Sequence, residues 1–211
     1  MKKGILFDVD GTLWDSAPQV TEAWNEILAS RLEAGRIITV EDMYRYMGRP
    51  MDEIGRMMLP SLGEKLRGEI MERCMEYENE YLLTHPGTLY PGVRETLEQL
   101  AQDYGLYIVS NCQDGYIQVM MKVCGIESLI RDVECFGRTG RPKGDNIRLV
   151  ADRNRLDAAF YVGDTAMDEE AASAAGIPFV HAAYGFGRAV KPVGVIGSMP
   201  ELPALAKRLF G

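Results

Sequence analysis

The sequence predicts an α/β protein, a doubly wound parallel sheet with an inserted all-helical domain. Three observations predict it. Short apolar runs alternate with helix-period stripes after about residue 88. One further apolar run, Gly4-Ile5-Leu6-Phe7, stands far upstream of them. Residues 16–86, between the two, contain no good strand pattern.

Gly4 to Phe7 stops at acidic residues and then Gly11, the pattern of a buried strand feeding a loop. In the next segment Leu66, Ile70, Cys74, Tyr77 and Tyr81 recur at helical spacing, and Thr39 with Asp42 resembles a capping box. This segment is read as a helical insertion bordered by Trp14 to Pro18 and by His85 to Pro91. The sheet domain is then discontinuous, residues 1–15 and 87–211, around an insertion at 16–86. The insertion holds Met43, Met47, Met51, Met57, Met58, Met71 and Met75. Most are expected to pack a small bundle, and a few to line an adaptable pocket.

Further on, Val93, Leu97, Leu100 and Ala101 share a helix face. Leu106 to Val109 reads as a strand, and Ile117, Met120, Met121 and Cys124 form the next stripe. Val133 to Phe136, Ala159 to Val162 and Pro178 to His181 are further strand candidates. Between the last two, Met167, Ala171, Ala174 and Ala175 make a third stripe. Ser198 with Glu201 looks like a capping box for a final helix carrying Leu202, Leu205 and Leu209.

Among the 211 residues, 31 acidic side chains outweigh 23 basic ones, for a net charge of −8. An acidic surface repels the phosphate backbone, which argues against nucleic-acid binding. No apolar run approaches the length of a membrane span, and no export signal is read at the start. Cys74, Cys112, Cys124 and Cys135 show no C-x-x-C pairing, and there are two histidines. A zinc site is therefore not expected, and free thiols in a reducing cytoplasm are.

Asp8-Val9-Asp10-Gly11-Thr12 leaves the end of the first strand, where open α/β sheets place their ligands. Two like charges this close raise each other's pKa unless a positive charge intervenes. A divalent cation is the economical answer, and an oxygen-rich site suits Mg²⁺. A second acidic pair follows a later strand in Gly163-Asp164-Thr165-Ala166-Met167-Asp168. There the plainer explanation of Asp168 is the preference of helix N-termini for acids. Ser110-Asn111 and Lys143 lie between, each at or just beyond the expected C-terminal end of a strand, with Lys143 read as a loop residue.

In that order the four motifs resemble the signature of the haloacid dehalogenase-like (HAD) hydrolase superfamily, and the likeness spans nearly the whole chain. Within it the sequence is similar to the phosphoglycolate phosphatase-like and phosphoglucomutase-like branch, with a small helical cap on a Rossmann-like core. Met47 to Ile54 resembles that branch's cap specificity loop. The resemblance implies that Asp8 attacks phosphorus and becomes an aspartyl phosphate. It makes Asp10 the general acid and base, with its backbone carbonyl toward the metal. It gives Ser110 a hydrogen bond to a phosphoryl oxygen, and Lys143 the neutralisation of charge. Asp164 completes the Mg²⁺ shell with Asp8 and Asp10, and Asp168 either assists it or orients Lys143. Gly11, Thr12 and Asn111 are expected around the phosphate. Arg49 is the cap residue expected to touch substrate. Tyr184-Gly185-Phe186-Gly187 is a loop expected to border the site.

The expected activity is Mg²⁺-dependent hydrolysis of a small phosphorylated metabolite by a cytoplasmic monomer. Two alternatives stand beside it. A β-phosphoglucomutase-like enzyme would use a His near the cap entrance, where this chain reads Ser16-Ala17-Pro18-Gln19-Val20. A catalytically idle phosphate-binding module is the other, since fold does not fix function.

Overall fold

A computed structural model describes residues 1–211, the side chain of Leu32 excepted. Its centre is a six-stranded sheet. The strands are β1 (Lys3–Phe7), β4 (Gly105–Ser110), β5 (Asp132–Cys135), β6 (Ala158–Gly163), β7 (Phe179–Ala182) and β8 (Gly194–Ile196). They lie in the order β5-β4-β1-β6-β7-β8, and every pair is parallel. The register sets Phe7 beside Ile108 on one side and Val162 on the other. The three strand ends that carry Asp8, Ser110 and Asp164 are therefore adjacent.

Successive residues of a strand face opposite ways, so a strand buried on both faces reads as a continuous apolar run. Here Ile5, Phe7, Leu106, Ile108, Phe160 and Val162 fill one face. Leu6, Tyr107, Val109 and Tyr161 fill the other. Three helices cover the first face: α5 (Val93–Leu100), α6 (Tyr116–Cys124) and α10 (Leu202–Phe210). The second is covered by α8 (Lys143–Arg153) and α9 (Ala166–Ala175), the two being separated by β6. A short helix, α7 (Phe136–Thr139), follows β5.

Four α-helices occupy residues 16–86, where no good strand pattern is read: α1 (Ala17–Ala29), α2 (Val40–Tyr46), α3 (Met51–Met58) and α4 (Glu64–Leu82). Thr39 caps α2 in a reciprocal box with Asp42. Of the methionines here, Met43, Met58 and Met71 are buried. Met47 and Met51 are half-buried and line a cavity with Met43. Chain exit and return are joined by an antiparallel ribbon, β2 (Trp14–Asp15) against β3 (Thr88–Leu89). Gly87 permits this approach, because a Cβ there would lie 2.8 Å from the Asp15 carbonyl oxygen.

Several expectations need correction. Phe136 begins α7 rather than ending a strand. Lys143 is the first residue of α8 and not a loop residue, because Pro142 before it fixes an extended backbone and opens the helix. Ser198 does not cap the last helix. Its hydroxyl bonds the Glu201 carboxylate, a 3₁₀ turn spans Met199–Glu201, and α10 starts at Leu202. The α9 stripe is also rotated, with Asp168, Ala172 and Ala175 buried and Ala174 exposed. The inward turn of Asp168 sets that register. Strand β8 escaped the periodicity reading because it is three residues long at the sheet edge, with Val195 exposed.

Candidate active site

The C-terminal ends of β1, β4 and β6 carry the site. Asp8 follows β1 directly, Ser110 ends β4, Asp164 follows β6, and Lys143 enters from α8 across the sheet edge. All four are buried. The Lys143 ammonium lies 2.8 Å from Asp8 Oδ1 and 2.5 Å from Asp168 Oδ1. Its charge also sits 5.5 Å from the centre of the Tyr161 ring. Burial alone would lower the Lys143 pKa, but Asp168 and Asp8 outweigh it and hold the group well above its ordinary value.

Asp168 is fully engaged by protein groups. One oxygen accepts from Lys143, and the other accepts from the amides of Asp164 and Thr165 and from the Thr165 hydroxyl. Thr165 and Asp168 also form the capping box of α9. So Asp168 both caps its helix and fixes Lys143. Asp168 thus contacts Lys143, and it also stands in one carboxylate cluster with Asp8 and Asp164.

Asp8 and Asp164 are different. Asp164 Oδ1 is buried with no hydrogen-bond partner, and buried Asp8 Oδ1 meets the Lys143 ammonium at 2.8 Å and no other donor. Oxygens of Asp8, Asp164 and Asp168 approach within 4.8 Å of one another. The other Asp164 oxygen accepts from the Phe186 amide at 2.7 Å. The Tyr184–Gly187 loop borders the site through that bond, and Tyr184 donates to the Thr12 carbonyl at 2.7 Å. A Cβ on Gly185 would stand 2.2 Å from the Gly11 carbonyl oxygen and 2.3 Å from Asp164 Cβ. A Cβ on Gly11, whose φ is +79°, would meet Asp164 Oδ2 at 2.3 Å. We expect Gly185→Ala to lift the loop from Asp164 and cost about 1–3 kcal/mol, as overpacking does. Thermal denaturation measures it, and an unchanged midpoint contradicts the packing described.

Asp10 occupies its own cradle. Its Oδ1 accepts from Tyr116 at 2.5 Å, and from Trp14 Nε1 and the Ser16 hydroxyl at 3.1 Å each. Trp14 therefore binds Asp10 as well as packing the ribbon. Sequence reading passed over Ser16 and Tyr116 in this role. Tyr116 lies 106 positions from Asp10 and meets it only in the folded chain. Thr12 is buried with an unpartnered hydroxyl. Asn111 donates to the Gly48 carbonyl at 2.9 Å, tying the sheet to the helical segment. Arg49 lines the cavity beside Asp10 and Ser110. Its guanidinium pairs with Glu53 and donates to the Arg45 carbonyl.

Burial is the first cause of three raised carboxyl pKa values. Asp10 is pushed to about 6 against its hydrogen-bond donors, and Asp8 to about 7 against the pull of Lys143. Asp164 rises to about 8, with Asp168 and Asp8 adding to burial. In each case the folded state holds its proton to a higher pH than the unfolded chain does. The resulting penalty is absent below about pH 4 and grows as pH rises to about 8. We therefore expect chelator-treated protein to melt at a lower temperature at pH 8 than at pH 5. A melting point that rises across this interval contradicts the burial of these groups.

A doubly wound sheet that gathers paired carboxylates and a buried lysine at its C-terminal edge, under a helical segment inserted after β1, defines a class of hydrolase. The haloacid dehalogenase-like hydrolase model matches residues 5–182, and the chain belongs to that family. Its sequence is similar to phosphoglycolate phosphatases. One from Cereibacter sphaeroides is 29% identical, over 98% of this chain and 99% of the relative. The plasmid-encoded one from Cupriavidus necator is 28% identical, over 95% and 91%. Among solved structures, a haloacid dehalogenase-like hydrolase from Streptococcus pneumoniae has the same fold, with a TM-score of 0.84 at 22% identity and coverage of 97% and 98%. No helix among the described residues is long and apolar enough to cross a membrane.

Proposed function

We propose that the protein is a Mg²⁺-dependent phosphatase that hydrolyses a small phosphomonoester through a phosphoryl group carried on Asp8. The observation that carries this reading is the buried Asp8 carboxylate, paired with the Lys143 ammonium at 2.8 Å while Asp10 is cradled separately by Tyr116.

The donor set fits a hard divalent cation. Asp164 retains a buried oxygen that meets no donor, and three carboxylates gather around one ammonium. Asp8, Asp164 and the Asp10 backbone carbonyl would hold Mg²⁺. When bound, it would screen the repulsion between an anionic nucleophile and an anionic phosphate. We expect Mg²⁺ to raise the melting point more at pH 8 than at pH 5, because binding must displace protons from Asp8 and Asp164. An equal shift at both values argues against these carboxylates as ligands.

In the first step an Asp8 oxygen attacks phosphorus and the P–O bond to the leaving alcohol breaks. Asp10, with a pKa near 6, is partly protonated at neutral pH and delivers its proton to the departing oxygen. Lys143 offsets the charge that collects between Asp8 and the phosphoryl oxygens, and the Ser110 hydroxyl donates to one of them. In the second step Asp10, now ionised, takes a proton from water as that water attacks phosphorus. The P–O bond to Asp8 breaks, which frees inorganic phosphate and restores the carboxylate. The test is steady-state release of phosphate from an aryl phosphate with and without Mg²⁺. Turnover that needs the metal and the Asp8 carboxylate supports the reading. Equal turnover in chelator, or none with any metal, overturns it.

A further inference from the structure

The cavity above Asp10 has a chemistry of its own. Its apolar wall includes Trp24, Met43, Met47 and Ile54, and its polar groups include Glu78 of α4 and Gln113. Glu78 is buried, and one of its oxygens accepts from Trp24 Nε1 at 2.6 Å. Gln113 is buried too, and its side-chain carbonyl oxygen meets no donor. The orientation of that amide is determined by its neighbours. Asn79 donates to the Asp114 carbonyl, which turns the Asn79 oxygen toward Gln113. Gln113 answers with its nitrogen, leaving its oxygen unpaired.

The space that adjoins Asp10 therefore presents two acceptor groups, the Glu78 carboxyl and the Gln113 amide oxygen. The cation at its rim, Arg49, is already neutralised by Glu53. A buried carboxylate repels an anionic leaving group and accepts from a hydroxyl or an ammonium.

Resting on the phosphatase reading above, we propose that Glu78 and Gln113 are specificity-determining residues that select phosphate esters of uncharged or cationic, hydrogen-bond-donating alcohols. Esters whose alcohol carries a carboxylate are rejected. The leaving group lies against the methionine and tryptophan wall and donates to Glu78 and the Gln113 oxygen. Burial raises the Glu78 pKa to about 8, so Glu78 is an ionised acceptor above that pH and a neutral carboxyl below it, and its repulsion of anions belongs to the alkaline side. The relatives named above are phosphoglycolate phosphatases, whose substrate bears a carboxylate. On this reading the chain has diverged from them in specificity.

The experiment compares kcat/KM for p-nitrophenyl phosphate, glycerol 3-phosphate, O-phosphoethanolamine and 2-phosphoglycolate with Mg²⁺ present at about pH 9, where Glu78 is ionised. We expect the glycerol or ethanolamine ester to exceed phosphoglycolate by about 100-fold, since unpaired buried acceptors and like-charge contacts discriminate strongly. The glycerol and ethanolamine arms show whether hydroxyl or ammonium is the favoured donor. Glu78→Gln keeps an acceptor for Trp24 and should narrow the ratio about tenfold or more, through loss of charge repulsion. A residue that merely staples α4 to α1 would leave that ratio unmoved.

Phosphoglycolate preferred by the wild-type enzyme, above all with that preference lost in Arg49→Ala, overturns the inference while leaving the phosphatase reading intact. So does an unchanged ratio in Glu78→Gln. If that variant fails to fold, the wild-type ratio and Gln113→Leu decide, the latter expected to weaken the donor-bearing esters selectively. Absence of turnover with every ester, the aryl one included, overturns the phosphatase reading and this inference with it.

Discussion

Asp8→Asn is expected to reduce turnover of an aryl phosphate by about four orders of magnitude or more, the scale seen when a covalent nucleophile is removed. An amide oxygen is a poor nucleophile toward phosphorus, and the neutral side chain cannot carry the phosphoryl group. Stability should move the other way. The cluster holds the carboxylates of Asp8, Asp164 and Asp168 against the single ammonium of Lys143. Removing one buried negative charge relieves the desolvation that raises Asp8 to about 7. Chelator-treated Asp8→Asn should therefore melt above the wild type at pH 8, and the gap should close near pH 5. Loss of activity with a lowered melting point at pH 8 would show disruption of the site rather than deletion of the nucleophile. Retained activity would exclude Asp8 from the chemistry altogether.

Lys143→Met is expected to give the second large effect, on both activity and folding. The ammonium is buried and offsets Asp8 and Asp168 at once. Deleting one member of such a cluster leaves charge uncompensated in a dry interior, at a cost of about 3–5 kcal/mol. Much of that cost is recoverable. Asp168→Asn in the same chain removes one orphaned charge, so the double variant should be more stable than Lys143→Met alone. The coupling is expected to be on the order of 1–3 kcal/mol, measured as a double-mutant cycle by denaturant unfolding. Additive effects would mean that the Lys143–Asp168 contact carries no stability. Activity should stay low in both, because neither variant can neutralise charge around Asp8.

Much of this site can be read from the sequence because it is built on short local patterns. An apolar run that stops at Asp8-Val9-Asp10-Gly11-Thr12 identifies a strand end, and strand ends in parallel sheets share one edge. Asp164 and Asp168 are four residues apart, which is one helical turn. The groups that tune these carboxylates are not legible in that way. Tyr116 reaches Asp10 across 106 positions, and Glu78 reaches Trp24 across 54. Nothing in the local pattern of α4 separates Glu78 from the other glutamates of that helix, since burial alone distinguishes it. Arg49, singled out by its place in a specificity-loop pattern, lines the cavity beside Asp10, and only the folded chain shows its guanidinium paired with Glu53.

Taken alone, then, the amino-acid order determined the α/β class, the helical insertion after the first strand and the four motifs that meet at the sheet edge. Periodicity and motif spacing are local properties that survive in one dimension. Only the tertiary structure decided which oxygens remain unsatisfied, that Asp168 bonds Lys143, and that Glu78 and Gln113 line the cavity over Asp10. Those facts depend on burial and on contacts between distant segments, and hydrogen-bond satisfaction is a property of the packed chain.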